Sequence, residues 1–106
     1  MHLIILGNFG PQSMPDHPNR AWHDEKRAML DDLVTDDLIR GRIHDVWWTA
    51  GQYDLVIHAE VRSAVGAHAL SLTLSRKLKA NNVALIAIPD AEVGPVFDVL
   101  EIRNGP

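Results

Sequence analysis

Between His44 and Val61 the chain reads H-D-V-W-W-T-A-G-Q-Y-D-L-V-I-H-A-E-V, two runs rich in aromatic and β-branched residues hinged on Ala50-Gly51-Gln52. Such residues favour a pleated, half-buried backbone, and glycine first in a two-residue loop is the signature of a type II′ turn. The stretch is expected to be a β-hairpin, with strands over about 42–50 and 53–62 and the turn at Gly51-Gln52. Side chains alternate sides along a strand, so the turn decides in advance which residues share a surface.

With that turn, Thr49 faces Asp54, Trp48 faces Leu55, Trp47 faces Val56, Val46 faces Ile57 and Asp45 faces His58. A three-residue loop sets His44 opposite His58 instead, and both registers stay open at this stage. In the first register one side carries His44, Val46, Trp48, Leu55, Ile57 and Ala59. That is the more continuous apolar surface and the side expected to meet helices. The other side carries Asp45, Trp47, Thr49, Asp54, Val56, His58 and Glu60.

The rest of the chain supplies the partners for this hairpin. Residues 3–9 (L-I-I-L-G-N-F) form an apolar run closed by Gly10-Pro11, as suits a central strand buried on both faces. Residues 10–19 (G-P-Q-S-M-P-D-H-P-N) hold three prolines and cannot continue a strand, so they form a surface loop. From Asn19, a natural N-cap, Trp22, Lys26, Met29, Leu30, Leu33 and Val34 recur at helical spacing, and Gly41 suits the left-handed position past the helix end. Ser63 caps a second helix over 64–78, with Val65, Ala69, Leu70, Leu72, Leu74 and Leu78 as its apolar side. Asn81-Asn82 then turns the chain into V-A-L-I-A-I, a fourth strand stopped by Pro89. Residues 90–106 read either as a short helix or as an extra strand. Their valines and Phe97 require something to pack on, whether the domain itself or a partner.

A chain of 106 residues with 46% hydrophobic content makes one domain around a single modest core. The order β-α-β-β-α-β predicts an α+β, ferredoxin-like architecture, a four-stranded antiparallel sheet with two helices on one face. Strands one and four are apolar on both sides, so the second face needs a cover. A second copy is the simplest one, and a sheet-to-sheet homodimer, or a higher homo-oligomer, is expected.

Charge and composition narrow the partners further. The net charge is −4 and the basic residues are scattered apart from Arg76-Lys77-x-Lys79, which argues against nucleic acid. The absence of cysteine removes disulfides, thiolate metal sites and cysteine nucleophiles, and fits a reducing compartment. No apolar run approaches the roughly 18 residues that spanning a bilayer needs, so no membrane is expected and the cytoplasm is the expected location. There is no P-loop, G-x-G-x-x-G, H-E-x-x-H or G-x-S-x-G.

At W-W-T-A-G-Q-Y-D-L-V-I-H-A-E the sequence resembles the GYD domain family, whose Gly-Tyr-Asp motif here reads Gly51-Gln52-Tyr53-Asp54. The resemblance covers the hairpin, the second helix and the fourth strand, about half of the chain. It implies a member of the dimeric α/β-barrel superfamily, which includes isomerases, cyclases, cofactor-free monooxygenases, haem-degrading enzymes and ligand-sensing domains. No catalytic residue is implied by it.

The polar side of the hairpin carries the residues with chemical potential. Opposite Asp45, His58 becomes an oriented imidazole able to move protons near neutral pH, and these two are the candidate catalytic pair. Trp47, Val56, Tyr53, Asp54 and Asn8 are candidates for lining a site for a small apolar or aromatic ligand. Asp54 also suits bonding to backbone N–H groups near the turn, and Tyr53 suits wedging against a neighbouring element. The six histidines fall in no recognised ligand spacing, so neither a metal nor any other cofactor is expected. A small-molecule-binding or assembly module is the first reading. A cofactor-independent isomerase, cyclase or monooxygenase using His58 is the second.

Overall fold

The computed structural model describes residues 1–10 and 13–104. Pro11, Gln12, Gly105 and Pro106, parts of the expected loop and C-terminal extension, lie outside the described residues. Strand β1 (His2–Phe9) is central in a four-stranded antiparallel sheet. It pairs with β3 (Leu55–Glu60) on one side and β4 (Ala80–Ala87) on the other, and β2 (Arg42–Trp48) lies outside β3. Helix α1 (Arg20–Leu33) precedes the hairpin, α2 (Ala64–Thr73) follows it, and α3 (Gly94–Asn104) comes last. This is the α+β arrangement that the sequence predicts, and it is compatible with a ferredoxin-like fold.

Alternation sorts the sheet into two unlike faces. Along β1, Leu3, Ile5, Gly7 and Phe9 are buried while His2, Ile4, Leu6 and Asn8 are only half-buried. On β3, Leu55, Ile57 and Ala59 are buried on the same side. Leu30 and Leu33 of α1 and Leu70 of α2 close over that side, in one cluster with Val34, Ile39, Leu74 and Leu78. The expectation that β1 is buried on both faces does not hold within one chain, because both helices contribute to this single layer. Ile4, Leu6, Val83 and Leu85 are left on the open side.

One end of the helical layer is closed by aromatic rings. Trp48 stacks on Phe9 with ring centroids 6.0 Å apart and an 8° angle, and Trp22 meets both edge-on at 5.2 and 5.7 Å. Such pairs add about 0.5–1.5 kcal/mol each beyond the area they bury. Trp22 is held from both ends. Its backbone N–H donates to the Asn19 side chain at 2.9 Å, which confirms Asn19 as the N-cap, and its indole N–H donates to the Ser13 carbonyl at 3.2 Å.

Two connections differ from the sequence expectation, each for a local reason. After α1 it is Arg40, not Gly41, that takes the left-handed conformation, with φ +45°. Gly41 answers a different need: a Cβ there would lie 2.5 Å from the Glu60 carbonyl oxygen and 3.1 Å from Val61 Cγ1. After α2 the helix relaxes into a π-helical turn at Leu74–Leu78, and Lys79, at φ +58°, starts the return. Asn81 and Asn82 are therefore inside β4 rather than in a turn. The Asn82 amide donates to the Ser71 carbonyl at 3.0 Å, and Ser71 Oγ donates back to Asn82 Oδ1 at 2.7 Å. A side chain inserted into the carbonyl ladder is a known cause of such a break in α-geometry. The buried side of this helix is a narrow stripe of Gly66, Leu70, Leu74 and Leu78, and Val65 and Leu72 are exposed.

Beyond β4, a short 3₁₀ turn (Asp90–Glu92) leads to α3. This resolves the ambiguous extension as a helix. Its apolar residues are open to solvent, Phe97 at 57% and Ile102 at 81% exposure, and among the described residues it packs chiefly against the turn before it. No helix among the described residues is long and apolar enough to cross a membrane. The crowding at Gly41 gives a direct test: Gly41→Ala is expected to lower the free energy of unfolding by about 1–3 kcal/mol, read from the urea midpoint, because the backbones of β2 and β3 must separate to admit a methyl group.

Candidate functional site

The hairpin pairs as Asp45 with His58, Val46 with Ile57, Trp47 with Val56 and Trp48 with Leu55. Those are the partners of the first register. The turn itself is wider than expected. Thr49 N–H donates to the Asp54 carbonyl at 2.9 Å, and hydrogen-bonded pairs alternate along an antiparallel ladder, so Ala50 and Tyr53 fall at a non-bonded position. A two-residue II′ turn needs a bonded pair there. The chain instead makes a loop over 50–53, with Gly51 at φ +121° and Thr49 Oγ1 donating to the Tyr53 carbonyl at 2.6 Å.

Further along, the ladder slips by one residue between Ile43 and Asp45. Ile43 pairs with Ala59, so His44 and Asp45 together oppose His58, as in a β-bulge. The cause is legible in the residues. Ile43 and Val46 both pack against the core, yet they are three positions apart, and strict alternation cannot send both to one side. The extra residue absorbs the mismatch. His44, expected on the helix side, is thereby turned to the open face, where its ring stacks on His58 with centroids 4.6 Å apart.

His2 completes the group from β1. Its Nδ1 lies 3.0 Å from His58 Nε2, a hydrogen bond in which one of the two nitrogens carries the proton, and its ring stacks on His44 at 5.8 Å. Three imidazoles from three adjacent strands therefore form a compact triangle on the open face, with ring centroids 4.6, 5.3 and 5.8 Å apart. Carboxylates flank them. Glu60 accepts from His44 Nε2 at 2.8 Å and from Arg42 at 3.4 Å, and Asp45 Oδ2 lies 3.9 Å from His58 Nδ1. The hydrogen bond from His44 is the main reason the Glu60 carboxyl is held below its ordinary pKa, with His2 and Arg42 adding in the same direction. His44 and His58 keep about a quarter of their side-chain surface exposed, so the cluster is open to solutes.

The other candidates divide between face and frame. Trp47, 49% exposed, and half-buried Val56 stand side by side on the open face, with Leu6 next to Val56 on β1. Asn8 is on the same side at the far end of β1, opposite Asn81. Asp54 is committed elsewhere: its Oδ2 accepts the Phe9 N–H at 2.9 Å and its own N–H donates to the Gly7 carbonyl at 2.9 Å. It clamps the hairpin loop to the end of β1. Among the described residues, no buried side-chain nitrogen or oxygen lacks a partner. A groove of about 430 Å³ runs beside His2 and Glu60, with Ile86, Ile88 and Pro89 on its far side. Compared with known proteins, the chain matches no family model, no curated protein and no solved structure.

His2 is the site residue that strand-by-strand reading misses; His44 meets His58 only in the alternative register, and Glu60 is placed on the correct side without being named a site residue. The signal for His44 is the Ile43–Val46 spacing. For His2 it is the alternation of β1, which places it beside Ile4 on the open face. The Asp54 clamp carries its own test. Asp54→Ala is expected to cost about 1–2 kcal/mol of stability, measured by chemical denaturation, because it strands the Phe9 N–H. Histidine titrations followed by NMR should stay unchanged in that variant.

Proposed function

We propose that this chain acts as a homodimeric small-molecule-binding or assembly module, a ferredoxin-like domain that pairs sheet to sheet with a second copy as a dimeric α/β barrel. The observation that carries the reading is the uncovered face of the sheet. Ile4, Leu6, Val56, Trp47, Val83 and Leu85 lie on it, the last three each about half exposed. Leaving such a surface in water forfeits about 25 cal/mol for every Å² that could be covered. Large contiguous apolar patches are uncommon on monomers. A two-fold axis through the face lets the same residues meet themselves, the commonest closed assembly.

Such a pairing would leave a cavity at the ends of the face. Stacked sheets lie about 10 Å apart, and Trp47 and the histidine cluster are too bulky and polar to interdigitate as a dry core throughout. A flat apolar or aromatic molecule would lie across Trp47 and Val56, which are adjacent on this face. Helix α3 supports the same reading, since its exposed valines, Phe97, Leu100 and Ile102 also require a covering surface. The enzymatic alternative, acid–base chemistry at His58 on an enolisable or aromatic compound, draws its support from the Asp45 carboxylate 3.9 Å away.

Light scattering at micromolar concentration is expected to give the mass of two chains. Val83→Lys combined with Leu85→Lys places charge on the open side of an edge strand and should yield a folded monomer, with unchanged far-ultraviolet circular dichroism. A wild-type chain that remains monomeric across that range overturns the proposal.

A further inference from the structure

We infer that His2, His44 and His58 form a binding site for one divalent transition-metal ion of the zinc class. One ligand nitrogen from each ring lies within 4.8 Å of the others. Three imidazole nitrogens about 2.1 Å from a single tetrahedral ion stand about 3.4 Å apart. The His2–His58 separation of 3.0 Å is already near that value, and small rotations of the partly exposed rings bring His44 to it. Imidazole sets of this kind suit zinc, nickel, copper or iron rather than magnesium or calcium, which demand oxygen.

Three further features fit an ion better than a bare cluster. First, His44 is brought beside His58 by a bulge, a rigid backbone device, so little ordering entropy remains to be lost there on binding. Second, two carboxylates stand where outer-shell groups belong. Glu60 holds His44 by its Nε2 at 2.8 Å and fixes the ring orientation, and Asp45 lies on the Nδ1 side of His58. Carboxylate–histidine–metal relays of this form orient the ligand and raise its basicity. Third, His2 Nδ1 and His58 Nε2 now share a single proton at 3.0 Å, and a cation in its place lets both of these lone pairs be used.

The three ligands come from one chain, so the site does not depend on the paired-sheet reading. A tetrahedral ion so bound keeps its fourth position for water or an anionic group of a small molecule, as open zinc sites do. That position faces the uncovered side of the sheet. The remaining histidines, His17, His23 and His68, lie outside the group.

The test uses the tag-free chain beginning at Met1, stripped with a chelator and dialysed. Titration with Zn²⁺ by calorimetry and with Co²⁺ by visible absorption is expected to saturate at one ion per chain, with a dissociation constant on the order of micromolar or tighter. The Co²⁺ complex should show the intense bands of four-coordinate nitrogen ligation. His17→Ala/His23→Ala/His68→Ala should bind as the wild type does. His44→Ala and His58→Gln should each lose about a hundredfold or more in affinity, and Glu60→Gln about 10–100-fold. Thermal melts of each variant without metal establish that it is folded. Zn²⁺ should raise the melting temperature of the wild type but not of His58→Gln. Absence of saturable binding in the wild type overturns the site. So does binding that survives both His44→Ala and His58→Gln. Stoichiometry per chain is read independently of mass, so a monomer that binds one ion refutes the dimer and not the metal site.

Discussion

The two faces of β1 face different solvents, and most of the molecule follows from that difference. Leu3, Ile5 and Phe9 enter a layer closed by Leu30, Leu33, Leu70, Leu74 and Leu78, where hydrophobic burial can offset the ordering of a small chain. Helices and sheet must therefore agree on which residues go inward. Everything that cannot go inward is collected on the opposite face, including apolar residues such as Ile4, Val83 and Leu85 and all three clustered histidines. The candidate site is what the core excludes. It is placed with the same geometric accuracy as the core because both share one set of backbone hydrogen bonds.

The bulge on β2 shows how a packing requirement becomes a chemical one. Burying both Ile43 and Val46 needs an even spacing that the sequence does not have, and one looped-out residue supplies the correction. That residue is His44. Its ring is then stacked on His58 and held by Glu60, so a polar constellation is assembled at a point where the ladder had to be broken anyway. Asp54 illustrates the opposite relation. Part of a distinctive sequence motif, it is engaged with the Phe9 and Gly7 backbones and fastens the loop to the central strand.

Much of this was legible from residue patterns. The α+β class, the element order, the Asn19 cap, the inward set Leu55, Ile57 and Ala59, and the pairing of Asp45 with His58 follow from period, capping chemistry and alternation. The failures have specific physical origins. Strict alternation through position 44 puts His44 on the helix side, but Ile43 and Val46 cannot both pack inward without the bulge that turns it out. Gly51 suggested a two-residue turn, but hydrogen-bond parity set by the strands forbids it. Asn81-Asn82 has turn-forming composition, yet Asn82 finds better partners in Ser71 while Lys79 takes the reversal. Gly41 has the composition of a left-handed cap, yet its value lies in the absence of a methyl group. The dimer, the GYD resemblance and the ligand are proposals that the fold accommodates.

The two borders of the sheet are not equivalent. At the β2 border the looped residue and the charged Arg42 interrupt the run of free amide and carbonyl groups, which makes that strand a poor template for another chain. The β4 border, A-N-N-V-A-L-I-A, has neither proline nor charge nor irregularity over eight residues. Lateral growth of the sheet, whether orderly or as aggregation of a partly opened chain, is thus directional. The β4 border is the better template for it, and the bulge that gathers the histidines also protects the border on their side.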